Sequence, residues 1–180
     1  MATPNLSPAQ ITQVSDLVAQ YIAAQRSSYS ANAVPLSIQE SAAISGFFTP
    51  QLLADTRLVV LSGVRVPNPA FYPMLRGYGF NNLPDFSTMA ATTFSDTVVS
   101  HQLFTEGLLF HELVHVEQYR QLGIAKFADL YVRGFLSGGG YFQIPLEQNA
   151  YLLGGQYERN PTDRFSVADE VSRWIAENRF

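Results

Sequence analysis

The sequence predicts an α+β fold that is mostly helical, for three reasons. Apolar residues recur at helical spacing along most of the chain, and only two short stretches are rich in β-branched residues. Of the 180 residues, 47% are hydrophobic and 14% are charged, which is typical of a globular protein. No internal repeat and no change of composition marks a domain boundary, so we expect a single domain over residues 1–180.

The first two predicted helices lie near the start of the chain. Ser7, Pro8 and Gln10 match the capping box and the early proline that begin a helix, and the apolar spacing extends this helix over residues 8–26. A shorter helix is predicted over residues 36–45. We expect both helices to serve as packing scaffold.

Two strands are predicted in the middle of the chain. Residues 57–66 are rich in β-branched side chains, and residues 89–100 form a second such stretch, which Asp96 interrupts at a bulge or a turn. Between them, residues 67–84 contain four prolines and several aromatic residues. This composition is too irregular for a helix or a strand, so we expect a loop that covers a cleft.

The most apolar helix candidate spans residues 104–122. It is nonpolar around nearly its whole circumference, so we expect it to be buried, and Gly123 is a typical stop signal. The helices predicted after it are residues 125–136, residues 145–157 beyond the glycine run 138–140, and a last helix capped by Ser166.

Composition narrows the classes of partner and of metal site. The net charge is -4 and no basic stripe is present, so we expect no nucleic-acid partner. The chain has no cysteine, which excludes disulfides and thiolate ligands, so His, Asp or Glu must hold any transition metal. The sequence shows no signal peptide and no apolar run that spans a bilayer. We therefore expect a cytoplasmic protein with no membrane partner, and the oligomeric state stays open.

The buried helix carries an HExxH motif, His111-Glu112-Leu113-Val114-His115. Histidines at i and i+4 share one face of a helix and can bind one metal ion, whereas Glu112 lies about 100° further round. Burying these three polar side chains is costly unless something satisfies them, and a metal ion does so. The alternative is a pair of core histidines bonded to backbone groups, with Glu112 at the surface.

A zinc site of this kind needs a third protein ligand. The class with a third histidine in H-E-x-x-H-x-x-G-x-x-H is excluded, because Gln118 and Gln121 occupy the glycine and last histidine positions. His101 precedes the helix and would need an unusual approach. Glu147 is favoured, because it lies in the first turn of the helix that Pro145 begins after the glycine run, and Ala150 is small enough for close helix packing. The other candidates are Asp129, Glu158, Asp163, Asp169 and Glu170.

The HExxH motif and the downstream Glu147-x-x-Ala150 resemble the gluzincin group of zinc peptidases, and more narrowly small uncharacterised bacterial domains of that kind. The resemblance covers residues 104–157. It implies one zinc ion and a zincin-like fold, in which the active-site helix packs with a short β-sheet and a second, glutamate-bearing helix. It also implies that an antiparallel edge strand within residues 89–100 binds extended substrate. The chain departs from the thermolysin-type pattern at Tyr151, where an aspartate would orient a ligand histidine.

The resemblance implies a zinc-dependent metallopeptidase whose partner is a peptide or protein substrate. His111, His115 and Glu147 are the expected metal ligands, and Glu112 is the expected general base toward a metal-activated water. Two alternatives are a catalytically silent metal-binding structural or interaction domain, and a zinc hydrolase of a non-peptide amide or ester. The same ligand set also suits non-haem iron. The candidate oxyanion donors, in no order, are Tyr141, Tyr151, Tyr157 and His101.

Overall fold

The computed structural model describes residues 4–137 and 140–180 and shows an α+β fold that is mostly helical. The helices are α1 (Pro8–Ser30), α2 (Ile38–Ala43), α3 (Pro50–Asp55), α4 (Tyr72–Gly77), α5 (Glu106–Leu136), α6 (Pro145–Arg159) and α7 (Val167–Ala176). The strands are β1 (Val34–Pro35), β2 (Arg57–Val60), β3 (Ala91–Phe94) and β4 (Thr97–Ser100). A short 3-10 helix, Tyr141–Gln143, precedes α6. No helix of the described residues has the length and apolar character needed to cross a membrane.

The four strands form one sheet in the order β1-β2-β4-β3, so that β3 lies at an edge. β2 runs parallel to β4, whereas the pairs β1–β2 and β3–β4 are antiparallel. The prediction of one strand over residues 89–100 is therefore wrong. That stretch is the hairpin β3–β4, and it turns at Ser95 and Asp96, where Ser95 has a φ of 63°. The turn expected at Asp96 is confirmed.

The first predicted helix begins as its capping signals indicate but ends later. The Ser7 hydroxyl accepts from the amide of Gln10, and the Gln10 side chain accepts from the amide of Ser7. No glycine or proline follows residue 26 until the helix has ended, so α1 continues to Ser30. Along this extension Arg26 donates to Asp96 over 2.7 Å and ties α1 to the β3–β4 turn.

Two short helices were not predicted. The proline-rich loop expected over residues 67–84 contains α4, because a proline at N1 or N2 is compatible with a helix start. The buried Tyr72 anchors α4 by donating to the carbonyl of Pro84 over 2.8 Å. α3 begins in the same way, after a Thr49 cap and an early proline. The first predicted strand, residues 57–66, keeps only its first four residues in β2.

Helix α5 is the centre of the molecule and bends where the sequence predicts a stop. Gly123 has φ 73° and ψ 163°, which are not helical values, and helix resumes directly after it. The segment before the bend packs against β3 and α6, and α1 also packs against α5. One hydrophobic cluster includes side chains of α1, the sheet and the end of α5, and another includes side chains of α6, α7 and the start of α5.

The chain returns from α5 to α6 through a close backbone contact. A Cβ atom at Gly134 would lie 2.7 Å from Cδ of Pro145, so only glycine fits at this position without a shift. Of the predicted glycine run, residues 138 and 139 lie outside the described residues, whereas Gly140 has a φ of 75° that favours glycine. This return places the first turn of α6 beside the HExxH segment of α5.

Candidate metal centre

The two histidines of the HExxH motif face each other on α5. Their spacing of one helical turn brings the ring centroids to 4.9 Å, and the two Nε2 atoms lie 3.2 Å apart. The side chain of His115 is buried and that of His111 is only 14% exposed. Two nitrogen atoms that can bind a metal therefore point into the same space.

Glu147, in the first turn of α6, completes this group. Its Oε2 atom lies 3.6 Å from Nε2 of His111 and 3.4 Å from Nε2 of His115. Ala150, one turn further along α6, is fully buried, as close packing of the two helices requires. Among the described residues, this is the group of histidine and carboxylate side chains whose spacing is compatible with a metal ion. The structure thus brings together the three side chains that the sequence singles out.

The remaining acidic candidates for a third ligand lie outside this group. Asp129 accepts from Arg133 over 2.9 Å and from Ser15 of α1 over 3.3 Å, where α1 packs against α5. Glu170 accepts from Arg173 over 3.0 Å within α7. These carboxylates have ordinary surface partners.

The geometry of the three ligand atoms fits one metal ion. Ligands placed tetrahedrally at about 2.0–2.2 Å from a zinc ion stand about 3.4 Å from one another. The distances of 3.2, 3.4 and 3.6 Å match the edges of such a tetrahedron. Oε2 of Glu147 is buried and, within the described chain, accepts no hydrogen bond. An unpartnered buried carboxylate oxygen facing two imidazole nitrogens is what a bound cation would satisfy.

Within this group, the nearby opposite charges shift the pKa values of His115 and Glu147 in opposite directions. Burial lowers the pKa of His115, but the negative charge of Glu147, with a smaller contribution from Glu112, outweighs it and raises that pKa to about 9. Burial raises the pKa of Glu147, but the two histidines outweigh it and hold that pKa well below its usual range. The carboxylate is therefore the ionised form that a metal ligand must be.

Glu112 is buried beside this group and has a partner of its own. Its Oε2 accepts from the hydroxyl of Thr93 over 2.7 Å. Thr93 lies on β3, so the sheet edge fixes the orientation of the carboxylate. Glu112 also lines the same cleft as His111. The alternative with Glu112 at the surface is wrong, since only 5% of the residue is exposed.

The partner of His115 is Gln118, which the sequence does not single out as a neighbour of the site. Nδ1 of His115 lies 2.8 Å from Oε1 of Gln118, one turn along the same helix. The i,i+3 spacing of the two residues was the signal that could have revealed the contact. Tyr151, where thermolysin-type enzymes place an aspartate, instead packs its ring 4.5 Å from that of His111.

His101 is occupied elsewhere, so it is neither a ligand nor an oxyanion donor. Its Nδ1 lies 2.6 Å from the carbonyl oxygen of Met89, and its Nε2 accepts from the amide of Val66 over 3.0 Å. A carbonyl only accepts, so Nδ1 carries the proton and Nε2 is already used as an acceptor. Both ring nitrogens hold the backbone around the end of β4.

The three candidate tyrosines lie in two different parts of the structure. Tyr141 and Tyr151 line a cleft of about 640 Å³ together with His111 and Glu112. Tyr157 lies in a different cluster, where it stacks on Phe110 at 4.4 Å and donates to Glu106 over 3.0 Å. Burial, and then the charge of Glu147, raise the pKa of Tyr141, which keeps its hydroxyl protonated. Tyr141 and Tyr151 thus remain as possible donors in the cleft.

Behind the cleft lies a smaller pocket of about 60 Å³ with a mostly apolar lining. Both cavities are lined by Glu112 and Tyr141, and His115 and Glu147 line the small one. The group formed by His111, His115 and Glu147 therefore lies between an open cleft and an apolar recess. The edge strand β3 contributes lining residues to both.

Comparison of the chain with protein-family models, with curated proteins and with solved structures finds no match.

Proposed function

We propose that this protein is a zinc-dependent metallopeptidase with a zincin-like fold of the gluzincin kind. The observation that carries the proposal is the group formed by His111, His115 and Glu147, next to a buried Glu112, between an open cleft and a small apolar recess. These three side chains would hold one zinc ion. When bound, zinc supplies Lewis acidity toward a substrate carbonyl and lowers the pKa of a water molecule.

In this proposal Glu112 moves the proton. Its carboxylate takes a proton from the attacking water and passes it to the leaving amine. The Thr93 hydroxyl occupies Oε2 at 2.7 Å, which leaves Oε1 as the oxygen that exchanges the proton. Because Thr93 belongs to the edge strand β3, its hydrogen bond ties the base on α5 to the strand proposed to bind substrate.

Tyr141 is the proposed donor to the oxyanion that forms on the substrate carbonyl. Its hydroxyl stays protonated, and it lines both the cleft and the small pocket beside Glu147. Tyr151 lines only the cleft and is half exposed, so its position is less constrained. A donor fixed in place before the reaction stabilises developing negative charge most effectively.

The edge strand β3 is the proposed docking site for an extended substrate. Because β3 lies last in the sheet, no strand of the described part of the chain pairs with its outer edge. A peptide can add to such an edge as a further strand, with alternate side chains entering pockets. The acidic residues of the cleft are Asp85, Glu112 and Glu158, and no Lys or Arg lines it among the described residues. Peptides without acidic residues are therefore the suitable probes.

The test compares wild type with Glu112→Gln on a mixture of neutral and basic fluorogenic peptides. Glu112→Gln should keep about one zinc ion per chain while hydrolysis falls by about 10²- to 10⁴-fold, because the base is lost and the ligands remain. Chelation should abolish wild-type hydrolysis. Glu177→Gln removes the same charge at an exposed position and should change neither result.

Other outcomes of this test would change the proposal. Unchanged hydrolysis in Glu112→Gln would remove Glu112 as the base. A wild-type protein that binds zinc but cleaves no peptide would favour a structural metal site, and cleavage of only non-peptide amides or esters would favour the other hydrolase class.

A further inference from the structure

A buried amide connects the two helices that carry the metal-ligand group. Gln118 is fully buried on α5. Its Nε2 donates to the backbone carbonyl of Leu146 over 3.0 Å and to the side-chain oxygen of Asn149 over 2.9 Å, both on α6. Its Oε1 contacts Nδ1 of His115 over 2.8 Å. One side chain thus contacts one histidine and the residue directly before Glu147.

The carbonyl of Leu146 fixes the orientation of this amide. A backbone carbonyl can only accept a hydrogen bond, so the NH₂ group of Gln118 must face it. The oxygen of the same amide then faces His115, and Nδ1 of His115 must carry a proton in order to donate to it. The lone pair of the neutral ring is left on Nε2, the atom that faces His111 and Glu147.

We propose that Gln118 is a positioning residue that sets the metal affinity of this centre. It selects the tautomer of His115 whose Nε2 can bind a metal, and it holds α6 at the distance that brings Glu147 to the same point. The inference rests on the metal centre of the proposed function but requires no catalysis. It assigns to Gln118 the orienting role that Tyr151 does not fill.

An amide suits this position better than the carboxylate usual for such a role. An ionised carboxylate could accept from His115, but its other oxygen would face the carbonyl of Leu146 without a proton between them. Only a group with both an acceptor and a donor satisfies both neighbours, and Gln118 has both. The second donor bond, to Asn149, then closes a network in which the amide has no freedom to flip.

The test measures metal binding by Gln118→Met, with Gln121→Met as the matched control. Methionine keeps the volume and removes the hydrogen bonds. Gln121 lies on the same helix and donates to Ala168 over 2.9 Å, so its loss weakens packing against α7 without touching a ligand. Zn²⁺ and Co²⁺ are titrated into each metal-free full-length protein in competition with a chromophoric chelator.

We expect Gln118→Met to weaken Zn²⁺ binding by about 10- to 100-fold and to change the visible spectrum of bound Co²⁺, because the ligands lose their fixed orientation. Gln121→Met should lower thermal stability but keep the wild-type affinity and spectrum. If Gln118→Met does not fold, Gln118→Asn replaces it, since that amide is one methylene too short to reach both His115 and Leu146 and should also bind Zn²⁺ more weakly.

Wild-type affinity and an unchanged Co²⁺ spectrum in a folded Gln118 variant would overturn the inference. Equal losses in the Gln118 and Gln121 variants would also overturn it, because they would indicate general destabilisation. Absence of metal binding by the wild type is a different result, since it would remove the metal centre itself.

Discussion

His101 and His115 lie in two regions of the molecule that use the same side chain in opposite ways. At the end of β4, both ring nitrogens of His101 bind backbone groups, at 2.6 and 3.0 Å. On α5, Nδ1 of His115 bonds Gln118, whereas Nε2 lies 3.2 Å from Nε2 of His111 and 3.4 Å from Oε2 of Glu147, an oxygen that accepts no hydrogen bond within the described chain. His101 therefore holds the backbone in place, whereas Nε2 of His115 faces two other atoms that could bind the same metal ion.

The contacts of the two rings distinguish a histidine that its surroundings satisfy from one that could bind a metal ion. A core histidine is satisfied by its surroundings, as buried polar groups generally are. A ligand histidine has one nitrogen satisfied and the other directed, together with other such atoms, at one point. The unpartnered Oε2 of Glu147 marks that point here.

The largest expected effect separates these two histidines. His115→Ala should abolish metal binding, lowering the metal content from about one ion per chain to almost none, because two remaining ligands hold zinc weakly. His101→Ala should keep the full metal content. It should instead lower the free energy of unfolding by about 1–3 kcal/mol, since Val66 and Met89 lose their partner.

Elemental analysis of protein purified without chelators or a metal-affinity step measures the first effect, and denaturant unfolding measures the second. If both variants kept their metal, or if His101→Ala lost it, the assignment of His115 and not His101 as a metal ligand would be contradicted. A wild type that contains no metal, and takes up none when zinc is supplied, would reduce the HExxH motif to structural histidines.

The next expected effect distinguishes Tyr141, which lines the cleft, from Tyr157, which does not. Tyr141→Phe should lower kcat by about 10²-fold, because the proposed oxyanion donor is removed while the ring stays in place. Tyr157→Phe should leave kcat unchanged, since its hydroxyl bonds Glu106 outside the cleft. Steady-state kinetics on one cleaved peptide measures both, and equal kcat values for the two variants would remove Tyr141 from the mechanism.

The part of the site that could be predicted from the sequence depends on local spacing. Two histidines four residues apart meet on any helix, so that pair needed no tertiary information. Glu147 could be ranked first because the glycine run and an early helical position constrain where it lies. The sequence singles out Gln118 only because it occupies the glycine position of the third-histidine motif. Its proposed role depends on contacts with Leu146 and Asn149 across a helix interface, which local spacing does not reveal.

The fold shows the same division between local and long-range information. Caps and stops follow short-range rules, so the helix start at Ser7 and the interruption at Gly123 were predicted correctly. The sequence pattern predicts one strand where the hairpin β3–β4 lies, because Ser95 carries no signal for the positive φ that it adopts. The parallel pairing of β2 with β4 depends on contacts between residues about 40 apart in sequence, which a propensity pattern does not contain.

The last expected effect is a pH dependence of metal binding, which arises because Nε2 of His115 can take up either a proton or the metal. The pKa of His115 is raised to about 9 in the metal-free protein, so at neutral pH a proton occupies the place of the metal. Binding must displace that proton, and the Zn²⁺ affinity should therefore rise by about tenfold per pH unit from neutral pH to about 9 and then level off. The ionised Glu147 adds no such dependence, because its pKa lies well below this range.

The stability of the metal-free protein should change in the opposite direction. A pKa that folding raises contributes stability that is fully present below the unfolded-state value of about 6.5. That contribution is lost as the pH rises through about 9. Affinity measured by chelator competition and stability measured by denaturant unfolding, at the same pH values, test both signs. An affinity that does not change between neutral pH and 9 would mean that the metal meets an already deprotonated His115, and that the charge of Glu147 does not act on it as the structure indicates.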